Sequence, residues 1–220
     1  EKLEANVIEW ILFFFSEFAK YPFTKFHKKA IKRITTNMEW YEVLSWSREL
    51  AKSTIVFMCM MYLVLTGKKK NVLLISNSHE NAVRLLEPYK KAFESNSMLK
   101  AYYGDLREFG SWTADEFTLT TGATFRAIGA LESPRGTRKD AVRPDTALVD
   151  DFDTDADCRN PDILKKKWEW FEEALFPTRS ISEDLLVIFC GNLIALDCCV
   201  KRAGDKADHW DIVNIRDKDG

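Results

Sequence analysis

Three short runs of the sequence are almost wholly apolar and are bounded by polar residues. They are residues 71–77, 147–150 and 185–190. A strand with apolar side chains on both faces is buried on both, which is typical of a parallel sheet covered by helices. Helical patterns fall around these runs, over residues 52–65, 80–95 and 161–176. The alternation predicts an α/β fold with a mainly parallel central sheet flanked by helices.

The N-terminal part is predicted to be helical. An aromatic, amphipathic helix is expected over residues 1–20, and Tyr21-Pro22 breaks it. A basic helix follows over residues 24–37. Residues 1–40 are therefore expected to form an N-terminal helical segment.

The remaining chain is expected to hold one core over residues 41–207. A short strand is predicted over residues 41–46, and residues 116–120 and 124–128 flank a Thr-Gly turn as an antiparallel hairpin. The polar segment 208–220 is expected to begin a linker to a further domain.

Composition describes an ordinary globular chain, with 46% hydrophobic and 30% charged residues and a net charge of −2. The lysines crowded between residues 20 and 33 are interpreted as a solvated face. Five cysteines without CxxC spacing indicate a reducing compartment, and Cys59 and Cys190 are predicted to be core residues. The apolar stretches 10–15 and 55–65 are too short to span a bilayer.

A phosphate-binding loop is expected where the first strand meets the helix over residues 52–65. The standard loop has two glycines around four residues, then a lysine and a Ser or Thr. Trp46 and Ala51 occupy the glycine positions here, whereas Lys52 and Ser53 match. Ala51 is acceptable if the loop needs no positive φ there, and Arg48 adds a second cation. Taken alone, the segment is also compatible with a helix start that happens to contain Lys-Ser.

Asp150 and Asp151 end a buried strand about a hundred residues later. A carboxylate at that place can hold Mg²⁺, and the next one can act on the attacking water. Together with Lys52 and Ser53, they predict a nucleotide-hydrolysing site. An acidic surface loop is the alternative, because Asp153, Asp155 and Asp157 follow. A calcium loop is disfavoured, since the central Gly and terminal Glu of that motif are missing.

Arginines precede the acidic strand, at Arg135, Arg138 and Arg143. An arginine close to a transferring phosphoryl group can raise the rate by ~10³–10⁵. A surface loop that pairs with the acidic run is the alternative.

The order of these segments resembles the ATPase half of the large terminase subunit of tailed bacteriophages, the motor that packages DNA into procapsids. Residues 47–53 are similar to that family's deviant phosphate loop, with an arginine four residues before the lysine. Residues 133–136 and 143–151 are similar to its arginine loop and acidic strand. Residues 187–192 look like its coupling motif, and residues 21–27 lie where the family recognises adenine.

The resemblance implies a phosphate-loop NTPase fold and a Mg-dependent ATPase with ATP and Mg²⁺ as cofactors. Ser53 and Asp150 would hold Mg²⁺. The nucleotide contacts that it implies are Ser47, Arg48, Ala51, Lys52, Ser53, Thr54, His27 and Asn192.

The resemblance also implies catalytic roles. Asp151 would orient or deprotonate the water, and Arg48 would contact the γ-phosphate. Arg135 or Arg138 would act on a neighbouring subunit, and Asn192 would couple phosphate release to movement.

The implied partners are double-stranded DNA, bound through its phosphates, a portal protein, a small terminase subunit and further copies in a ring. The implied location is the cytoplasm of the infected bacterial host, with no membrane. Two alternatives stay open. One is a helicase-type nucleic-acid motor domain, and the other is a catalytically degenerate phosphate-loop module used in assembly.

Overall fold

A computed structural model of the chain describes residues 2–133, 143–178 and 184–214. The strands are β1 (Trp40–Trp46), β2 (Asn71–Ser76), β3 (Arg107–Trp112), β4 (Glu116–Leu119), β5 (Thr124–Gly129), β6 (Thr146–Asp150), β7 (Leu186–Cys190) and β8 (His209–Val213). The helices are α1 (Val7–Phe14), α2 (Lys25–Thr36), α3 (Lys52–Leu65), α4 (His79–Ser95), α5 (Ser97–Tyr103), α6 (Asp155–Cys158), α7 (Pro161–Glu169) and α8 (Cys199–Gly204).

These strands form one sheet in the order β3-β4-β5-β2-β6-β7-β1-β8. Six neighbouring strands of this sheet pair in parallel: β5, β2, β6, β7, β1 and β8. Strands β4 and β3 extend the sheet beyond β5 as antiparallel strands. The predicted fold class is therefore confirmed, as is the hairpin, which is formed by β4 and β5. The four other predicted strands agree with β1, β2, β6 and β7 to within about one residue.

Both faces of the sheet are covered. The neighbouring residues Leu73 and Leu74 of β2 are buried in different hydrophobic clusters, one on each side of the sheet. Helices α1 to α4 contribute to the first cluster, whereas α7 and α8 contribute to the second. Since successive side chains of a strand point to opposite faces, this burial explains why the strand sequences are apolar throughout. Cys59 and Cys190 are both buried, as predicted.

Two predicted helices are shorter than the sequence suggests. The helix predicted over residues 1–20 is only α1, which begins where the Asn6 side chain accepts the Ile8 and Glu9 amides. The helix predicted over residues 161–176 loses its α geometry after Glu169 and continues as a π-helical segment, Trp170–Leu175. No helix in the described residues is long and apolar enough to cross a membrane.

The prediction that the core ends at residue 207 is wrong. Strand β8 lies beyond that point and pairs in parallel with β1, with Val213 opposite Trp46. The Trp210 indole also donates to the Ser45 hydroxyl at 2.9 Å. This segment mixes polar and apolar residues because β8 is an edge strand, so its sequence looks like a polar tail. β8 makes β1 an interior strand.

A buried lysine aligns three neighbouring strands at their amino ends. The Lys69 ammonium donates to the carbonyls of Met38, Asp145 and Asp184, at 3.0, 3.0 and 2.7 Å. These carbonyls come just before β1, β6 and β7. One cation therefore fixes where three neighbouring strands begin, and thus where they end.

An ion pair attaches α2 to the sheet. Arg33 donates to Glu42 of β1 at 2.8 Å and to Asp211 of β8 at 2.6 Å. Glu42 has no exposed surface and also accepts from the Trp40 indole at 2.7 Å. A buried carboxylate of this kind depends on its cation, because an uncompensated buried charge is costly.

Replacing Arg33 with Met is expected to lower the free energy of unfolding by about 3–5 kcal/mol, because Glu42 then stays buried without its cation. Urea denaturation measures the change. Lys201→Met is the control, since it breaks the exposed pair with Asp205, which solvent screens, and is expected to cost much less than the buried pair. Equal, small losses in the two variants would contradict the account.

Candidate nucleotide-binding site

A polar cleft of about 510 Å³ opens at the carboxyl ends of β1, β6 and β7. Ligands of open α/β sheets bind at this edge of the sheet, between the strand ends. The lining residues are Ser47, Arg48, Glu49, Leu50, Ala51, Lys52, Ser53, Thr54, Asn77, Asn81, Asp151, Phe152, Asp153, Asp155, Gly191, Asn192, Ile194 and Val200. The cleft thus brings together most of the residues that the sequence predicts as a site.

The loop between β1 and α3 turns without glycine. Glu49 and Ala51 adopt positive φ angles of 70° and 57°, in the left-handed region. The condition under which Ala51 was acceptable at this position, that the loop needs no positive φ there, is therefore not met. Trp46, at the first glycine position, is the last residue of β1 and is fully buried. Lys52 begins α3, so the loop leads directly into a helix N-terminus, as phosphate-binding loops do.

A hydrogen bond joins the two predicted Mg²⁺ ligands. The Ser53 hydroxyl donates to the Asp150 carboxylate at 2.5 Å, across strand β7. Asp150 is 8% exposed. Burial raises its pKa to about 6, aided by the charge of Asp151, while the bond from Ser53 and the charge of Lys52 act in the opposite direction.

The donor set suits Mg²⁺. A hydroxyl and neighbouring carboxylates are the hard oxygen ligands that this ion prefers. Asp150 is also a buried carboxylate whose raised pKa reports that its ionised form is under-stabilised. A cation beside it would relieve that cost, so these residues fit the ion.

Asp151 lies at the exposed end of β6 and lines the cleft. Its backbone is left-handed, with φ at 46°, and its N–H donates to the Asp150 carboxylate at 3.1 Å. Strained backbone of this kind persists only where its surroundings impose it. The buried Lys167 ammonium donates to the Phe152 carbonyl and pairs with Asp157 at 2.8 Å. Lys167 thereby holds the chain that leaves Asp151.

The acidic run after Asp151 has structural contacts of its own. Asp157 accepts the Thr154 amide at 2.9 Å in a capping box that starts α6. Asp153 accepts the Val200 amide at 3.2 Å. These two carboxylates therefore hold α6 and α8 in place beside the cleft.

His27 lies outside the lining of the cleft and contacts the β1–α3 loop from α2. Its Nδ1 accepts the Thr24 N–H at 3.3 Å, so Nε2 carries the proton that is donated to the Leu50 carbonyl at 3.0 Å. The ring also lies against Phe26, with centroids 4.1 Å apart. Its contact with adenine stays a prediction, whereas its contact with the loop is present in the structure.

The other predicted residues divide into two groups. Arg48 and Asn192 line the cleft, Arg48 in the loop and Asn192 after β7. Arg135 and Arg138 lie outside the described residues, so their roles stay predictions.

Two asparagines in the cleft were not predicted as site residues. Asn81, in the first turn of α4, donates to the Asn77 side chain at 2.6 Å. Asn77 directly follows β2, which is the neighbour of β6 in the sheet. The position of Asn77 at the end of β2 could have indicated it as a site residue, because adjacent parallel strands end at the same edge of the sheet.

Among known proteins, the matches to this chain are solved structures that share its fold. No protein-family model and no curated protein matches the sequence. The large terminase of bacteriophage HK97 matches in fold with a TM-score of 0.56 and 14% identity, over 91% of this chain and 41% of that chain. The ATPase domain of the Thermus phage P74-26 large terminase matches with a TM-score of 0.51 and 14% identity, over 91% of this chain and 83% of that chain. A point mutant of that domain gives the same score at 15% identity.

The chain therefore has the fold of large-terminase ATPase domains, which is a phosphate-loop NTPase fold. The resemblance stated from the sequence is confirmed at the level of the fold. The chain spans 41% of the length of the HK97 protein.

Ala51→Gly is expected to raise the free energy of unfolding by roughly 0.5–1 kcal/mol. Relief of the left-handed strain, about 1–2 kcal/mol, exceeds the entropy that Gly adds to the unfolded chain, about 0.4–1 kcal/mol. Ala101→Gly in α5 is the control and is expected to lose about 1 kcal/mol. Urea denaturation compares them, and a loss of the same size in both variants would refute the strain.

The pH dependence of stability tests the environment of Asp150. Its folded pKa is raised, so the folded state holds a proton that the unfolded state releases, and stability falls as pH rises from about 4 to about 6. Asp150→Asn removes this contribution. The variant should therefore gain on the wild type, by on the order of 2–3 kcal/mol between pH 4 and pH 7, in metal-free buffer. A stability difference that stays constant with pH would contradict the raised pKa.

Proposed function

We propose that this chain is the ATPase domain of a viral DNA-packaging motor, a terminase large subunit, which hydrolyses ATP to move double-stranded DNA into procapsids. The observation that carries the proposal is the Ser53–Asp150 hydrogen bond, whose donor Ser53 lines the cleft together with Lys52. The likeness in fold to large-terminase ATPase domains supports the motor assignment.

In the proposed binding mode, the triphosphate lies along the loop and the N-terminus of α3. Lys52 neutralises the β- and γ-phosphates, and Ser47, Ala51 and Thr54 line the same stretch of cleft. Ser53 and Asp150 would hold Mg²⁺, which would neutralise charge on the phosphates when bound. As a ligand, the Ser53 hydroxyl would no longer donate to Asp150.

In the proposed reaction, Asp151 orients the attacking water and accepts its proton. The water oxygen bonds to the γ-phosphorus as the bond to the bridging oxygen breaks, and ADP leaves. Arg48 stabilises charge on the γ-phosphate, and Asn192 senses its departure. Arg135 or Arg138 is proposed to act on a neighbouring subunit.

The proposed partners follow from the motor role. They are double-stranded DNA, further copies in a ring, a portal protein and a small terminase subunit, in the cytoplasm of an infected bacterium. DNA contact would run through phosphates, because a packaging motor must move along any sequence.

A catalytically degenerate assembly module is the second candidate. The observation that favours it is Glu49, which lines the cleft and adds a carboxylate to a site for an anion. A degenerate site would bind Mg-ATP weakly or not at all.

Steady-state ATP hydrolysis, with and without duplex DNA, separates the two candidates. Asp151→Asn is expected to lower kcat by roughly 10²–10⁴, the usual contribution of a general base. Lys52→Ala is expected to abolish binding of Mg-ATP, whereas the exposed α7 controls Lys166→Ala and Asp162→Asn keep wild-type rates.

Thermal unfolding completes the test. A ligand at 100 times its Kd adds about 2.7 kcal/mol, so a working site gives a clear shift with Mg-ATP. If the wild-type protein shows neither ATP hydrolysis nor a thermal shift with Mg-ATP, the motor proposal is wrong and the degenerate assembly module is favoured.

A further inference from the structure

One exposed face of α2 carries four lysines and no other charged group. Lys25, Lys28, Lys29 and Lys32 are all exposed and occupy positions i, i+3, i+4 and i+7 of the helix. This spacing places them on one side, over a length of about 10.5 Å. These four residues are called the lysine stripe.

We propose that the lysine stripe binds the phosphate backbone of duplex nucleic acid. The proposal adds a nucleic-acid-binding surface to the proposed motor function. It rests on that function only for which nucleic acid is bound. It replaces the interpretation of these lysines as a merely solvated face.

Charge segregation is the first support. Residues 18–38 contain six of the 32 basic residues and none of the 34 acidic ones, so the rest of the chain has a formal charge of −8 against −2 for the whole. A charge that is concentrated on one helix of an otherwise acidic chain produces a local attraction for polyanions and repulsion elsewhere.

The lack of ion pairing is the second support. Within the described residues, no carboxylate forms an ion pair with any lysine of the stripe. Arg33, on the inward side of the same helix, has two carboxylate partners. Three exposed lysines elsewhere also form ion pairs, namely Lys165, Lys201 and Lys206. The stripe therefore keeps its full charge for an external partner.

The shape of the stripe favours a duplex over other polyanions. Duplex DNA carries one phosphate charge per 1.7 Å of its axis when both strands are counted, so a length of about 10.5 Å carries about six charges, or about three on each strand. A membrane-surface helix would also present exposed apolar residues, whereas the apolar residues Ala30, Ile31 and Ile34 of α2 are buried in the core.

The position of α2 connects this surface to the nucleotide site. His27 lies between Lys25 and Lys28 in sequence and donates to the Leu50 carbonyl in the phosphate loop. A polyanion bound to the stripe would therefore be linked to the loop through a single residue, His27.

The test is binding of a short mixed-sequence DNA duplex to the full chain between 50 and 200 mM salt. Each phosphate contact contributes about 0.9 to the slope of log K against log salt. The variant with Lys28→Gln, Lys29→Gln and Lys32→Gln should lose about 2–3 from that slope and at least tenfold in affinity at 50 mM salt. Gln has nearly the helix propensity of Lys, so the variant is expected to fold.

The matched control removes three exposed lysines from other elements, by Lys70→Gln, Lys91→Gln and Lys166→Gln. It should keep the wild-type slope to within about 1. Equal losses in both variants, or none in the stripe variant, would overturn the proposal. Loss of binding to anionic vesicles by the stripe variant, without any loss of DNA binding, would also overturn it.

Nucleotide hydrolysis gives an independent readout. Lys52→Ala should bind DNA with the wild-type slope when nucleotide is absent. If the chain fails to hydrolyse ATP but the slope result holds, the motor function falls and the DNA surface stands. If the chain hydrolyses ATP and the slope is unchanged in the stripe variant, the proposed DNA surface is wrong and the motor function is retained.

Discussion

The site depends on the hydrogen bond between Ser53 and Asp150, which links the start of α3 to the end of β6. Strand β7 lies between β1 and β6 in the sheet. The start of α3 and the end of β6 therefore meet only beyond the carboxyl end of β7. The bond holds Asp150 in the place where, in the proposed function, Asp150 and Ser53 would hold Mg²⁺. Asp150 is buried and its pKa is raised, so the site is predisposed to take up a cation.

Two buried lysines support this arrangement from either end of the sheet. Lys69 fixes the amino ends of β1, β6 and β7 through three carbonyls. Lys167 holds the chain just after Asp151, through the Phe152 carbonyl and Asp157. Both ammonium groups are almost fully buried and satisfied by oxygen atoms, which is the condition under which a buried charge is tolerated. The two lysines therefore help to fix the positions of Asp150 and Asp151.

Much of this architecture could be predicted from sequence, because buried parallel strands are apolar on both faces and polar residues mark their ends. That logic predicted Lys52, Ser53, Asp150 and Asp151 as candidate site residues. Strand β8 was missed because an edge strand needs no continuous apolar run. The left-handed φ of Ala51 was missed because no local pattern requires it, and the contact of His27 with Leu50 joins residues 23 positions apart. Such features arise from tertiary packing, which overrides local preference.

A crystal structure with Mg²⁺ and a non-hydrolysable ATP analogue tests the central claim most directly. The account predicts phosphates along residues 47–53, Lys52 at the β- and γ-phosphates, and the Ser53 hydroxyl moved from Asp150 to the metal. Asp151 should face the γ-phosphate across a water molecule. Nucleotide bound elsewhere, or a Ser53–Asp150 bond that persists with Mg²⁺ and nucleotide in the cleft, would contradict it.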